Sequence, residues 1–212
     1  MKINPTRATR LKEASKKRRE AQKADLRQAI LEAGAKLFEE KGYEGFSLRQ
    51  VAEEVGYTPT TIYLYFKDKD DLLLHVVYDG FKQFGEYLQR AYDKGKTPLE
   101  RLHTVGWAYF DFAMSHPVHY RLMFMQRGEF LQKPPEGASP VIDSFGILEQ
   151  VIRESIANKI FRKGDVKTTA ALIWANVHGV VSLALVNQFN SEQTKHLFEQ
   201  QMAATERAYC VH

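Results

Sequence analysis

The sequence has little of what staples or interrupts a chain. Of 212 residues one is cysteine, Cys210, and seven are proline. A single thiol excludes an intramolecular disulfide framework and suits a reducing, cytoplasmic setting. No uninterrupted apolar run reaches the roughly 18 residues that suggest a membrane span. The N-terminus lacks the apolar stretch of a secretory signal. No membrane partner is therefore expected. Catalytic motifs are equally scarce: there is no Gly-rich phosphate loop, no G-x-S-x-G elbow and no H-E-x-x-H pair. His116 and His119 flank Pro117-Val118, but no cysteine or close acid completes a metal set. The chain is expected to carry no catalytic residue, no metal and no cofactor.

Long amphipathic runs and 44% hydrophobic residues fill the space left by these absences. They indicate an all-α protein of about nine helices with a substantial core. The net charge of +4 is unevenly spread. Residues 1–27 hold ten Lys or Arg against three acids, a local +7 that leaves −3 for the rest. Two readings fit this basic arm: a solvated, disordered tail, or a segment that binds a polyanion, nucleic acid first and anionic membrane second. Residues 7–23, charged and nearly devoid of large apolar groups, are expected to be disordered or frayed.

From Asp25 the spacing turns helical, with Leu26, Ile30, Ala33, Leu37 and Phe38 on one stripe and Gly42 as its stop. Ser47 and Gln50 form a capping box for a second helix, which ends at Gly56. Thr58 caps a third, with Pro59 in the first turn and Ile62 and Phe66 facing inward. Asp68 caps a long helix to about Tyr92, and Thr97 with Glu100 forms a box opening a helix to Met114. Pro117 begins a short helix. Residues 131–140 form a loop, and Ser139-Pro140 starts a helix to about Phe161. Asp165 caps a long apolar helix, and a last one spans about Ser191 to Tyr209.

Two short helices joined at a glycine, resting on a longer first helix, describe a helix-turn-helix. The third helix is poor in core residues and rich in hydroxyls and rings. Short hydroxyls let its backbone approach phosphates, so Thr58, Thr60 and Thr61 can donate to them, and the helix start attracts an anion. Tyr63 and Tyr65 can reach phosphates or stack on sugars and base methyls, and Arg49 can fork onto a guanine edge. The same residues also fit the surface of an ordinary helical hairpin.

Here the sequence resembles the TetR family of bacterial repressors. The matching elements are "A-x-x-L-F", "K-G-Y", Ser47, "V-A-E-E-V-G", "T-I-Y-x-Y-F" and "K-D-K-D-D-L", over about residues 25–77. The resemblance implies a base contact at Arg49 and a DNA-facing side holding Thr58, Thr60, Thr61, Tyr63 and Tyr65. It further implies a phosphate contact at Lys69 and a capping hydroxyl at Ser47 that also touches the DNA backbone. Threonine stands at 60 and 61, near where many members have glycine.

"HPVHYRLMF" and "WANVHG" resemble a subgroup whose C-terminal domain bears a Trp-His-Gly signature. The family resemblance implies a small-molecule effector cavity among the middle helices and a homodimer paired through the last two. Trp107, Phe110, Tyr120, Met123, Phe124, Trp174 and His178, with Tyr109 and Phe145, have the make-up of such a cavity, and equally of a helical core. Val177, Val181, Leu185 and Phe189 with Leu197, Phe198 and Met202 fit a dimer seam or a monomer core.

The expected organisation is a basic arm over 1–24, a helix-turn-helix domain over 25–70, and an effector-binding and dimerisation domain over 71–212. The function expected is a regulator, a repressor that binds double-stranded DNA at a palindrome and is released by a small, largely apolar effector. The competing class is a helix-turn-helix module that binds protein without reading DNA sequence.

Overall fold

The computed structural model describes residues 7–125 and 143–211. Among these residues nine helices follow in order: α1 Arg7–Gly45, α2 Leu48–Glu54, α3 Pro59–Tyr63, α4 Lys69–Lys94, α5 Pro98–Ser115, α6 Pro117–Phe124, α7 Ser144–Ala157, α8 Val166–Leu185 and α9 Ser191–Tyr209. The chain divides into two compact units, Met1–Val76 and Val77–His212, with the division inside α4.

In the first unit Ile30, Leu31, Leu37, Val51, Ile62, Phe66, Leu72 and Leu73 form a dry core. Helix α1 is interrupted at Gly42, whose φ of 68° and ψ of 178° are open essentially to glycine alone. Helix α2 opens on the full Ser47–Gln50 capping box. It closes on Gly56, φ 73°, with Tyr57 N–H donating to Ala52 O (2.9 Å) and Gly56 N–H to Glu53 O (3.2 Å). That pair of bonds is a Schellman motif, and it turns the chain directly toward α3.

The expected disorder of residues 7–23 is corrected: they continue α1 as helix. Residues 7–24 contain neither glycine nor proline and are built mostly from Ala, Lys, Arg, Glu and Gln, all good helix formers. The packed turns after Asp25 supply the nucleus, so extension needs no costly first turn.

In the second unit Phe84, Leu102, Phe112, Tyr120, Val151, Ile152, Ile173, Val181 and Phe198 join one core. Glu154 of α7 ties α4 and α5 to this core, accepting from Tyr92 Oη (2.5 Å) and Arg101 Nη1 (2.6 Å). At α5 the capping box is incomplete. Thr97 caps Glu100 N–H (3.2 Å), but the Glu100 carboxylate takes the N–H of Lys96, one residue before the cap. Helix α7 is capped by Asp143, whose Oδ1 accepts from Gly146 N–H (2.9 Å). The loop over 131–140 and the start at Ser139-Pro140 lie outside the described residues. The helix ends at Ala157 rather than Phe161, which instead bridges to Cys210.

Helix α8 is the most apolar helix among the described residues, although polar residues such as Thr169, Asn176 and His178 interrupt it. By length and composition alone it is long and apolar enough to cross a membrane, and 28% of its most apolar 18-residue window is buried within the chain. One stripe, Ile173, Val177 and Val181, is buried; Leu172, Leu183 and the following Val186 are exposed. Of the stripe that fits a dimer seam or a monomer core, Val177, Val181, Phe198 and Met202 are core of their own unit.

Candidate nucleic-acid interface and ligand cavity

Helix α3 has five residues, of which Ile62 is buried. Phe66, just beyond it, is also buried and is in contact with two further side chains. Arg27 lies 5.3 Å over its ring and His75 meets it edge-on at 5.4 Å. Arg27 Nη2 also bonds His75 Nδ1 at 2.7 Å. Burial first, and the Arg27 charge second, hold the His75 imidazole below its ordinary range. A neutral ring is what accepting from arginine requires.

The remaining side chains of this segment face outward. Ser47, Arg49, Thr58, Thr60 and Tyr63 are exposed, and Thr61 and Tyr65 half-buried. Thr58 Oγ1 accepts from Thr61 N–H (3.3 Å) and lies 3.0 Å from Thr61 Oγ1. One hydroxyl proton of this pair is spent on the other oxygen, so the two threonines together offer one outward donor. Thr60 keeps its own.

Lys69 is committed to the fold more than the sequence indicates. Its Nζ donates to Tyr43 O (2.9 Å), stands 3.9 Å over the Tyr43 ring and 3.9 Å from Glu44. Tyr43 Oη donates to Asp70 (2.5 Å), which pushes its pKa up to about 12. Lys69, Tyr43 and Asp70 thus clamp the end of α1 to the start of α4. Two further exposed apolar residues went unselected: Leu64, 78% exposed, and Tyr57, 51% exposed. Leu64 follows the last residue of α3, off the Ile62–Phe66 stripe, and that break in spacing was the available signal.

The second unit holds a cavity of about 540 Å³. Phe81, Phe84 and Leu88 of α4, Leu102, Val105 and Tyr109 of α5, and Ile173, Trp174 and Val177 of α8 form much of its wall. Phe124, Phe145, Leu148 and Met202 add to it. Among the described residues Asp143 is the one charged side chain on this lining.

Of the residues expected there, Tyr109, Phe124, Phe145 and Trp174 line the cavity. Trp107 and Phe110 pack on Phe198 instead, with ring centroids 5.2 and 4.8 Å away. Met123 lies against Gly80. Tyr120 and His178 stand behind the wall in a polar knot. Tyr120 Oη bonds His178 Nδ1 (2.6 Å) and Tyr109 Oη, while His178 Nε2 lies 3.2 Å from Ser182 Oγ. Burial holds His178 below its ordinary range and drives both tyrosines upward, so the knot is neutral near pH 7. The α4 residues and Met202 were missed because a cavity wall and a packed core use the same side chains.

A capped helix pair with a tight glycine turn, and a second helix that spends one residue on the core and the rest on solvent, define a helix-turn-helix DNA-binding protein. Comparison with known families agrees. Residues 30–76 match the bacterial regulatory proteins of the tetR family, and residues 102–205 match the tetracyclin repressor-like C-terminal domain. The chain belongs to the TetR family and is a DNA-binding transcriptional regulator. It is 24% identical over 160 residues to a fatty acid metabolism regulator protein of Bacillus subtilis, covering 74% of this chain and 82% of the relative. It is 24% identical over 204 residues to an HTH-type transcriptional regulator of Mycobacterium bovis, covering 83% and 87%. Among solved structures, a fatty acid degradation regulator, FadR from Bacillus halodurans, superposes with a TM-score of 0.69 at 18% identity, covering 83% of this chain and 94% of that one.

Proposed function

We propose that this regulator is a cytoplasmic, homodimeric repressor that binds a palindromic operator and is released by a small, largely apolar effector. Residues 25–70 read DNA and 71–212 bind effector and partner chain. Arg49 contacts a base edge; Ser47, Thr58, Thr60, Thr61, Tyr63, Tyr65 and Lys69 contact the duplex backbone or sugars. One five-residue recognition helix is too small to specify a site, so two copies in successive major grooves are needed. The exposed stripe of α8, with Leu172, Ala175, Gly179, Leu183 and Val186 on one line, supplies an apolar face for the second copy. Trp174, His178 and Gly179 support membership of the Trp-His-Gly subgroup: one lines the cavity, one holds the tyrosine knot, one leaves the outer face open.

The observation that carries the effector is the cavity wall. Among the described residues its lining includes no cation to neutralise a buried carboxylate, and Asp143 disfavours an anion further. An uncharged apolar body suits it, and an acyl chain is such a body, in keeping with the names of the Bacillus relatives. Phe81, Phe84 and Leu88 on this wall belong to α4, whose first turn holds Lys69 and Asp70. Helix α4 has 26 residues, about 39 Å at 1.5 Å each, so a small tilt at one end displaces the other. A ligand releases DNA this way only by binding the DNA-incompetent state more tightly.

The test uses a Trp107→Phe variant, which leaves Trp174 as the sole tryptophan. Fluorescence titration with straight-chain C8–C14 alcohols, methyl esters and carboxylates is expected to rank the uncharged compounds above the carboxylates. Adding an operator duplex selected from a randomised pool is expected to weaken ligand binding by the factor by which ligand weakens DNA binding. Equal ligand affinity with and without operator rejects allosteric release.

A further inference from the structure

Residues 11–24 carry six basic and two acidic side chains on a helical stretch that is exposed throughout. Its cations are not evenly spread. Lys12, Lys16, Arg19 and Lys23, spaced four, three and four residues, fall on one side. Glu13 and Glu20 sit to its flank, where Glu20 approaches Lys16 at 3.8 Å in a fully solvated pair worth little. Lys17 and Arg18 point away from this stripe by helical spacing.

The stripe does not end in empty solvent. Arg19 and Lys23 line a cleft of about 990 Å³ whose lining also includes Tyr57 and Tyr65. Tyr57 closes the Schellman turn and Tyr65 follows α3. The cleft also holds the acids Asp25, Glu32 and Glu54, of which Glu54 pairs with Lys36 at 2.6 Å. The cationic edge and the edge of the helix-turn-helix therefore border one surface of the first unit.

Resting on the DNA-binding reading, we propose that the first five turns of α1 are a rigid cationic rod, and that its Lys12–Lys16–Arg19–Lys23 face lies along the phosphates of duplex DNA flanking each half-site. The stripe spans about 16 Å at 1.5 Å per residue, close to five base pairs at about 3.4 Å. A rod holds these cations in line without the ordering entropy that a disordered tail loses on binding. It adds affinity and footprint length and leaves base choice to α2 and α3.

Three variants test this on the full chain, against a duplex selected by the wild-type protein and a random-sequence duplex of 40 base pairs. Arg19→Gln/Lys23→Gln is expected to lower the slope of log K against log salt by about 2, near 0.9 per lost phosphate contact. Lys17→Gln/Arg18→Gln removes the same charge and is expected to lower it by less than about 1. Ala21→Pro, on the side opposite the stripe, changes no charge but breaks the helix. It is expected to reduce helical circular dichroism, shorten the hydroxyl-radical footprint and lower the slope by at least about 1. Equal losses in the two charge pairs, or wild-type binding by Ala21→Pro, overturn the rod. So does tighter, stripe-dependent binding to vesicles of anionic phospholipid at the same salt. Absence of wild-type binding to any duplex refutes the DNA-binding reading itself, a distinct outcome.

Discussion

Helices α3 and α8 handle apolar side chains in opposite ways. Helix α3 spends one of five residues on the core and turns hydroxyls and rings outward. Helix α8 is apolar nearly all round, buries one stripe and leaves a second, leucine-bearing stripe in solvent. Surplus exposed chemistry points to a partner in each case, and its type says which. Hydroxyls, tyrosines and an arginine suit a polar, anionic duplex; an aliphatic line suits a second copy of the same helix.

The sharpest contrast lies within three residues of one another. Phe66→Ala empties the site gripped by Arg27 and His75 and is expected to cost about 3–5 kcal/mol, unfolding the first unit and abolishing DNA binding. Leu64→Ala, at 78% exposure, is expected to stay within about 0.5 kcal/mol. Urea denaturation measures both. Comparable losses would mean that α3 is a core element rather than a reading surface.

On α8 the two stripes should separate by concentration. Val181→Ala opens a void in the core and is expected to lower stability by about 1–3 kcal/mol at every protein concentration. Leu183→Glu is expected to shift sedimentation from dimer to monomer at micromolar protein and to abolish the concentration dependence of the melting temperature. A Leu183→Glu protein that stays dimeric moves the seam elsewhere.

The cavity offers the next test. Ile173→Phe adds volume where about 540 Å³ is open, so stability is expected to change by less than about 1 kcal/mol while C8–C14 alcohol binding is lost. Leu73→Phe makes the same kind of change in the packed first unit and is expected to cost about 1–3 kcal/mol. Thermal melts of the two variants make the comparison.

The smallest effect concerns pH. His75 and His178 are both held below the ordinary imidazole value of 6.5, chiefly by burial. As pH falls through that value the unfolded chain takes up protons that the folded chain still refuses. Their contribution to stability is therefore complete above about pH 6.5 and is lost as pH drops toward the folded-state values. Melting temperatures are expected to fall between pH 7 and 5, and to fall less in His75→Gln and His178→Gln.

What the sequence made legible was local. Ser47, Gly56, Thr58, Asp68 and Asp165 each act through a neighbour within four residues, so their caps and turns could be read directly. Position relative to distant elements could not. Trp107 and Trp174 look alike in sequence; only packing puts one on Phe198 and the other on the cavity. Lys69 looked like a free phosphate ligand because its clamp on Tyr43 spans 26 residues. The arm looked disordered because charge density argues for solvation, whereas its freedom from glycine and proline argues for helix, and a packed neighbour decides between them.

The DNA-reading role of α2 and α3 is tested most directly by selection from a randomised duplex pool with wild-type and Arg49→Ala protein. The expected result is an inverted repeat bound by two chains, with Arg49→Ala costing about 1–3 kcal/mol at one base pair per half-site and relaxing choice there. No enriched repeat, or an equal loss by Arg49→Ala on every duplex, would contradict it.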